Sequence, residues 1–205
     1  MCIRDRTIHV SQFFRNPSMF AELEARILPQ LLRRAAAEGR PLRLWSVGCA
    51  GGEEPYSLAL LLDELAPEGP EVSILGTDVS FSILERARAG LFEPQRLAEV
   101  PAEVRERYFV REGRDFRLAE RIRRRVRFEC HNMLTDPDYP PADLIVCRNV
   151  MIYFSRDEQE KILVRFAGAL PAGGFLVLGK AEMLLGESRR LYQPESVAER
   201  IYRRL

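Results

Sequence analysis

Gly48, Gly51 and Gly52 fall within one short stretch, Gly48-Cys49-Ala50-Gly51-Gly52-Glu53-Glu54, between an apolar run and Pro55. Lacking a Cβ, glycine lets the backbone approach a flat or charged ligand that another residue would hold away. A tight turn explains such glycines equally well, so the neighbouring acids matter. At the start of a helix, Glu53 and Glu54 would repel a dinucleotide pyrophosphate, yet they suit an amino group or a sulfonium. The pattern disfavours a nicotinamide dinucleotide and favours S-adenosylmethionine. Asp78, at the end of the next apolar run, stands where a carboxylate accepts hydrogen bonds from ribose hydroxyls, the competing role being that of a turn carboxylate.

The elements that position these residues follow from apolar spacing. Asn16-Pro17 offers an N-cap and a proline at the first helical position, and Phe20, Leu23, Ile27 and Leu31 recur at helical spacing up to Gly39, with Pro29 as a place for a kink. Leu42–Val47 is a short strand feeding the glycine loop, after which Pro55 opens a helix carrying Tyr56, Leu58, Leu61, Leu62 and Leu65. A strand over 72–75 leads to Gly76-Thr77-Asp78, and Ser82 with Glu85 forms a capping box for a helix stopping at Gly90. Leu144–Cys147 is a buried-type strand, Ser155 with Glu158 caps a helix over 156–170, Phe175–Leu178 is a further strand, and 191–205 supplies a closing pair. This alternation predicts an α/β fold with a mostly parallel, doubly wound sheet and ligands at the carboxyl ends of its strands. The interval 91–131 breaks the rhythm. Tyr108-Phe109-Val110, Gly113 and Phe116-Arg117-Leu118 predict a hairpin, and Val126–Cys130 resumes the sheet, so a small β-subdomain is inserted over about 92–127.

Composition narrows the class. The 205 residues are 46% apolar, enough to fill one main core, and 31 Lys+Arg against 30 Asp+Glu leave a charge of +1. No overall field recruits nucleic acid or a membrane. The longest apolar run, 58–62, is too short to span a bilayer, and the first residues lack a secretory core, so the chain reads as cytoplasmic. Cys2, Cys49, Cys130 and Cys147 have no zinc-type spacing and read as reduced, mostly buried thiols, with no metal expected. His9 and His131 form no triad pattern and read as structural. Residues 1–6 fit no element and are set apart as a leader, 7–40 form an N-terminal segment and helix, and 41–205 form the main domain.

Five motifs in order resemble the CheR-type chemoreceptor glutamate methyltransferases. They are Ser11-Gln12-Phe13-Phe14-Arg15, the stretch 48–57 with Gly52-Glu53-Glu54-Pro55-Tyr56-Ser57, Gly76-Thr77-Asp78, Asn132-Met133-Leu134, and Cys147-Arg148-Asn149-Val150-Met151-Ile152-Tyr153-Phe154. The resemblance implies a Rossmann-like class I methyltransferase that esterifies glutamate side chains of bacterial chemoreceptors in adaptation, turning S-adenosylmethionine into S-adenosylhomocysteine. It implies that Arg15 lies near the methionine carboxylate and the transferring methyl, and that Ser11 stands where the family usually has threonine. By the same resemblance Glu53, with Glu54 as a further candidate, faces the cofactor's amino-acid end, Gly48 belongs to the cofactor-binding loop, Asp78 serves the ribose and Asn132-Met133 the adenine edge. Arg148 and Asn149 are expected to line the pocket, and Tyr153 to face the reacting carboxylate. Two departures stand out: Gly179-Lys180-Ala181-Glu182 replaces the family's Gly-His-Ser-Glu, and at most the last helix of the usual N-terminal helical domain precedes Leu42.

The expected partner is the cytoplasmic helical domain of a methyl-accepting chemoreceptor, met by a monomer without nucleic acid or membrane insertion. A non-catalytic S-adenosylmethionine-binding signalling module, or a methyltransferase for another substrate, are the alternatives. Arg121, Arg123, Arg124, Arg125 and Arg127 read either as a solvated face or as a docking surface for acidic helices. The short turn at Gly113 leaves few side-chain pockets for a tethering peptide. Activity on receptor fragments is therefore expected to be independent of a C-terminal peptide and to fall between roughly 0.05 and 0.5 M salt, checked by methyl transfer to fragments with and without that peptide.

Overall fold

Every residue of Leu144–Cys147 and Phe175–Leu178 is apolar and buried, as strands covered on both faces require. The protein's structure is a computed structural model that describes residues 11–205. Helix α1 (Pro17–Glu22) passes through a π-helical turn, Leu23–Ile27, into α2 (Leu28–Ala37), followed by β1 (Leu42–Val47), α3 (Glu53–Leu65), β2 (Val72–Asp78) and α4 (Phe81–Ala89). Next come β3 (Leu91–Phe92), α5 (Ala102–Tyr108), β4 (Phe109–Glu112), β5 (Asp115–Leu118), α6 (Glu120–Arg123) and β6 (Val126–Cys130). The chain closes with β7 (Leu144–Cys147), α7 (Arg156–Ala169), β8 (Phe175–Leu178), β9 (Tyr192–Ser196) and β10 (Ile201–Arg204).

Seven strands form one sheet in the order β6-β2-β1-β7-β8-β10-β9, parallel except for β10, which runs antiparallel to both neighbours. From β1 the chain winds outward to β2 and β6 on one side, then returns to lay β7 and β8 on the other. The strand order thus reverses between β1 and β7, where α/β sheets open a crevice at their carboxyl edge. The core has two layers. On one face α1, α2, α3 and α4 bury Phe20, Leu23, Leu31, Leu58 and Leu84 against Leu44, Ile74 and Val146; on the other, Phe166 of α7 packs with Trp45, Ile145 and Leu176. Among the described residues, no helix is long and apolar enough to cross a membrane.

Several local expectations change. The sheet strand expected over 72–75 continues to Asp78, and the inserted hairpin gains a third strand, giving a β3-β5-β4 sheet. Helix α3 begins at Glu53 rather than Pro55, which is tolerable because the first amides of a helix have no partner within it. The Ser82–Glu85 capping box does not form. Asp78 Oδ1 accepts the Ser80 amide (3.0 Å), which turns the chain two residues earlier, so Ser80 becomes the N-cap and Glu85 pairs with Arg88. The Ser155–Glu158 box and the left-handed stop at Gly90 (φ +62°) do form. Asn16 precedes α1, but its side chain makes no cap. The π turn sits one turn ahead of Pro29, whose missing N–H removes a rung from the helical ladder. Cys49 and Cys147 are buried, whereas Cys130 is exposed; Cys2, His9 and the 1–6 leader lie outside the described residues.

Asp143, at the head of β7, ties the amino edge of the sheet together. Its side chain is 2% exposed, accepts both Arg40 Nη atoms at 2.8 Å, and takes the Arg43 amide at 3.0 Å. Burial alone would raise this carboxyl's pKa, but Arg40 and Arg43 outweigh it and hold the group below the ordinary value. A depressed carboxylate stabilises the fold fully above its unfolded pKa of about 3.9, and that stabilisation is lost as pH falls through the lower folded value. Asp143→Ala is expected to cost about 3 kcal/mol at pH 7, the low end for breaking a buried pair because Arg40 keeps some water. In urea unfolding the difference from the parent should shrink as pH drops below about 4.

Candidate functional site

Pairing register brings the functional loops to one edge. Val47 pairs with both Thr77 and Cys147, and Asp78 with Cys130, so the loops after β1, β2, β6 and β7 all leave the sheet at a common level. At Gly48 (φ +67°) a Cβ would lie 2.4 Å from Val150 Cγ2, so only glycine lets the β1 and β7 loops meet across the crevice. A Cβ at Gly51 would stand 3.0 Å from both oxygens of Glu53, and Gly52 heads α3 at φ +89°. Asp78 Oδ2 accepts the Ala50 amide (3.1 Å) while Oδ1 takes Ser80. Both the ribose role and the turn role proposed for Asp78 start from this position: the carboxylate already fixes the glycine loop.

The two acids diverge once placed. Glu54 is held by Ser46 Oγ (2.8 Å) and Arg148 Nη1 (3.3 Å), and Arg148 also donates to Asn16 Oδ1. Glu53 is 3% exposed, lies 3.5 Å from Arg96, and among the described residues its Oε2 has no hydrogen-bond partner. Burial raises the pKa of both; Arg148 opposes this for Glu54, and the helix amide and Arg96 for Glu53. A buried acidic oxygen without a donor, bordering glycines at which a Cβ would crowd its neighbours, has the charge and shape to receive a cationic amine. These residues fit the amino-acid end of S-adenosylmethionine.

The segment 11–16 reaches this edge because its aromatics are anchored elsewhere. Phe13 is fully buried and meets Phe92 and Phe109 of the small sheet edge-on at 4.8 and 5.3 Å. Such pairs contribute about 0.5–1.5 kcal/mol each beyond their buried area. The Phe14 amide donates to Ser57 Oγ (2.9 Å), which in turn donates to the Glu53 carbonyl (2.7 Å). Ser11 accepts from Arg96 through its carbonyl, and Arg96 in turn lies 3.5 Å from Glu53. Arg15 follows, half-buried, flanked by left-handed Phe14 (φ 51°) and Asn16 (φ 66°).

On the β7 side, Asn149 is left-handed (φ 59°), and its amide donates to Glu182 Oε2 at 3.1 Å. That carboxylate, 3% exposed, also accepts the amides of Gly179 (2.6 Å), Val150 (2.9 Å) and Met151 (2.8 Å). Lys180 and Ala181, the positions that depart from the family pattern, are exposed. Tyr153 ends a short 3-10 turn and is 44% exposed, beside Ile152 at 50%, so it is no core aromatic. Asn132 Oδ1 folds back onto the Leu134 amide (3.0 Å), and Met133 is buried with Trp45 and Leu75. His131 packs edge-on against Trp45 and Tyr139, as a structural histidine does. Contacts through the glycine loop and its neighbours draw together Ser11, Glu53, Glu54, Asp78 and Arg148, with Asn149 next to Arg148 and held by Glu182, whereas among the described residues Asn132, Met133 and Tyr153 lie on adjoining loops with no hydrogen bond to these side chains. Asn16, Arg96 and Glu182 were missed. Asn16 reads as a cap in sequence, Glu182 is the matching last residue of the Gly179-Lys180-Ala181-Glu182 stretch but was given no role, and Arg96 carries no local signal.

The arginine cluster is largely neutralised in place. Arg125 pairs with Asp63 (2.7 Å), Arg127 with Glu129 (2.9 Å) and Arg124 with Glu120, while Arg121 lies over the Tyr108 ring. Arg123 reaches the Leu118 carbonyl.

A model described as the CheR methyltransferase SAM-binding domain matches residues 9–200. The chain is 38% identical over 179 residues to a chemotaxis protein methyltransferase of Listeria monocytogenes, covering 87% of this chain and 67% of that protein. A probable chemotaxis protein methyltransferase of Rhizobium etli is 37% identical over 193 residues, covering 91% and 72%. An uncharacterized 104.1 kDa protein of Rhodobacter capsulatus is 40% identical over 185 residues, and the chain spans only 19% of its length. Among solved structures, PKMT2 from Rickettsia typhi in complex with AdoHcy matches with a TM-score of 0.45 and 17% identity, covering 82% of this chain and 26% of that one.

The unpartnered Glu53 oxygen generates a test in which stability and binding move apart. Because burial raises its pKa, ionised Glu53 weakens the fold as pH rises through the folded value, and glutamine mimics the protonated form. Glu53→Gln is expected to unfold at the same or a higher temperature at pH 7 while binding S-adenosylhomocysteine at least about tenfold more weakly, the loss of one charge-assisted contact. Calorimetric titration alongside thermal unfolding checks both.

Proposed function

The chain belongs to the CheR methyltransferase family, and on that premise we propose that it transfers a methyl group from S-adenosylmethionine to glutamate side chains in the cytoplasmic helical domain of a chemoreceptor. The observation that carries this reading is Glu53, a buried carboxylate with an oxygen left open beside the glycine loop. When bound, the cofactor supplies a methyl group on a positively charged sulfur. Glu53 and Glu54 receive its amino-acid end, Asp78 the ribose and the 132–133 loop the adenine edge, while Gly48, Ser11, Arg148 and Asn149 shape the pocket.

A glutamate carboxylate has a pKa of about 4.3 and is already a nucleophile near neutral pH, so no residue of the chain has to remove a proton. The chain's task is alignment, which can supply about 7–11 kcal/mol. Arg15 holds the cofactor carboxylate or the incoming glutamate, and Tyr153, exposed at the mouth, contacts the reacting side chain. Both act as catalytic residues by position rather than by proton exchange.

Methyl transfer from labelled donor to a receptor cytoplasmic fragment, with release of the label as methanol in alkali, tests the reaction. Label that survives alkali, or appears only on RNA, would sink it. Arg15→Ala is expected to lower the rate at least about a hundredfold, a loss of about 2.7 kcal/mol of transition-state stabilisation, with little change in thermal unfolding. A variant that unfolds far below the parent yet keeps full specific activity while folded would make Arg15 structural.

A further inference from the structure

Glu182 lies on the loop after β8, outside the motifs that carry the cofactor reading, yet its carboxylate is the shared acceptor of two loops. Oε1 takes the Val150 and Met151 amides, and Oε2 takes those of Gly179 and Asn149. Those amides leave the β7 and β8 ladders at the crevice, where strand pairing no longer satisfies them. Asn149 holds a left-handed backbone (φ 59°), which asparagine tolerates better than other non-glycine residues, and the Glu182 carboxylate fixes the loop in that conformation by accepting its amide. Gly179 leaves no slack: a Cβ there would lie 2.7 Å from Glu182 Oε2 and 2.9 Å from the Asn149 nitrogen.

We propose that Glu182 is a positioning residue, which through the amides of 149–151 sets the shape of the β7 loop that the cofactor pocket requires. This deepens the function proposed above and rests on it only for the identity of the cofactor. Lys180 and Ala181, whose side chains are exposed, take no part in the clamp. Glutamine is no substitute, because its NH2 group would face two amides that need an acceptor.

The test compares the parent with Glu182→Gln, Gly179→Ala and the double variant, measuring S-adenosylhomocysteine affinity and methyl-transfer kinetics well below each unfolding midpoint. Each single variant is expected to bind at least about tenfold more weakly and to lose kcat, with KM for the receptor fragment within about twofold of the parent. The double variant should be no worse than the weaker single, because both disrupt one clamp. Folded Glu182→Gln that binds S-adenosylhomocysteine within about twofold of the parent would overturn the proposal, as would additive effects in the double variant. If Glu182→Gln does not fold, Gly179→Ala decides, since it keeps the carboxylate and only wedges the clamp. A parent that binds S-adenosylhomocysteine but leaves receptor glutamates unmodified would sink the proposed reaction while the binding comparison still judges Glu182.

Discussion

Backbone amides leaving the carboxyl edge of the sheet must find acceptors, and in this protein carboxylates provide them. Asp78 takes the Ala50 and Ser80 amides, and Glu182 takes those of Gly179, Asn149, Val150 and Met151. A buried amide left without an acceptor costs about 1–3 kcal/mol, so loops this close to the core would rearrange without these side chains. Two acids therefore fix the walls of the crevice that the strand order opens between β1 and β7.

At the crevice Glu53 departs from that pattern, although Glu199 in the closing hairpin also has a buried carboxylate oxygen without a partner among the described residues. Glu53 is as buried as Glu182, yet its Oε2 has no donor among the described residues, and burial raises its pKa. A folded chain keeps such a group where a ligand can repay it, and local disagreement with the rules of stability is characteristic of functional sites. Backbone strain has the same distribution. Among the described non-glycine residues with positive φ, Phe14, Asn16, Ala50 and Asn149 all lie in the segments that converge on the crevice, and only Arg200 lies elsewhere, in the closing hairpin. The aromatic anchorage of Phe13 on the small sheet makes the first of these strains tolerable, which gives the inserted subdomain a part in placing Arg15.

Periodicity and punctuation made most of the architecture legible. The apolar runs of β1, β7 and β8, the left-handed glycine ending α4 and the Ser155–Glu158 box are all local features, and local physics fixes them wherever the segment lies. The Ser82–Glu85 box lost to a competing local signal, since Asp78 turns the chain by accepting the Ser80 amide two residues on and moves the helix start. The third strand of the small sheet, Leu91–Phe92, is too short to show a period and exists only because β5 is there to pair with it.

The same division runs through the site. Sequence determined which chemistries are represented: a glycine loop followed by two acids, an acid ending the next strand, and the Arg148-Asn149 string after a buried strand. These depend on residue types at fixed spacing along one chain. Tertiary structure alone decided how each acid is held, because Glu54 hydrogen-bonds Arg148 across 94 positions of sequence, whereas Glu53 lies beside Arg96 with its Oε2 lacking a hydrogen-bond partner among the described residues. It also turned Asn16 from a cap into a partner of Arg148, and made Glu182 the acceptor for a loop more than 30 residues earlier. Burial and hydrogen-bond direction are properties of what surrounds a group, and for these residues the surroundings come from strands that meet only in the folded sheet.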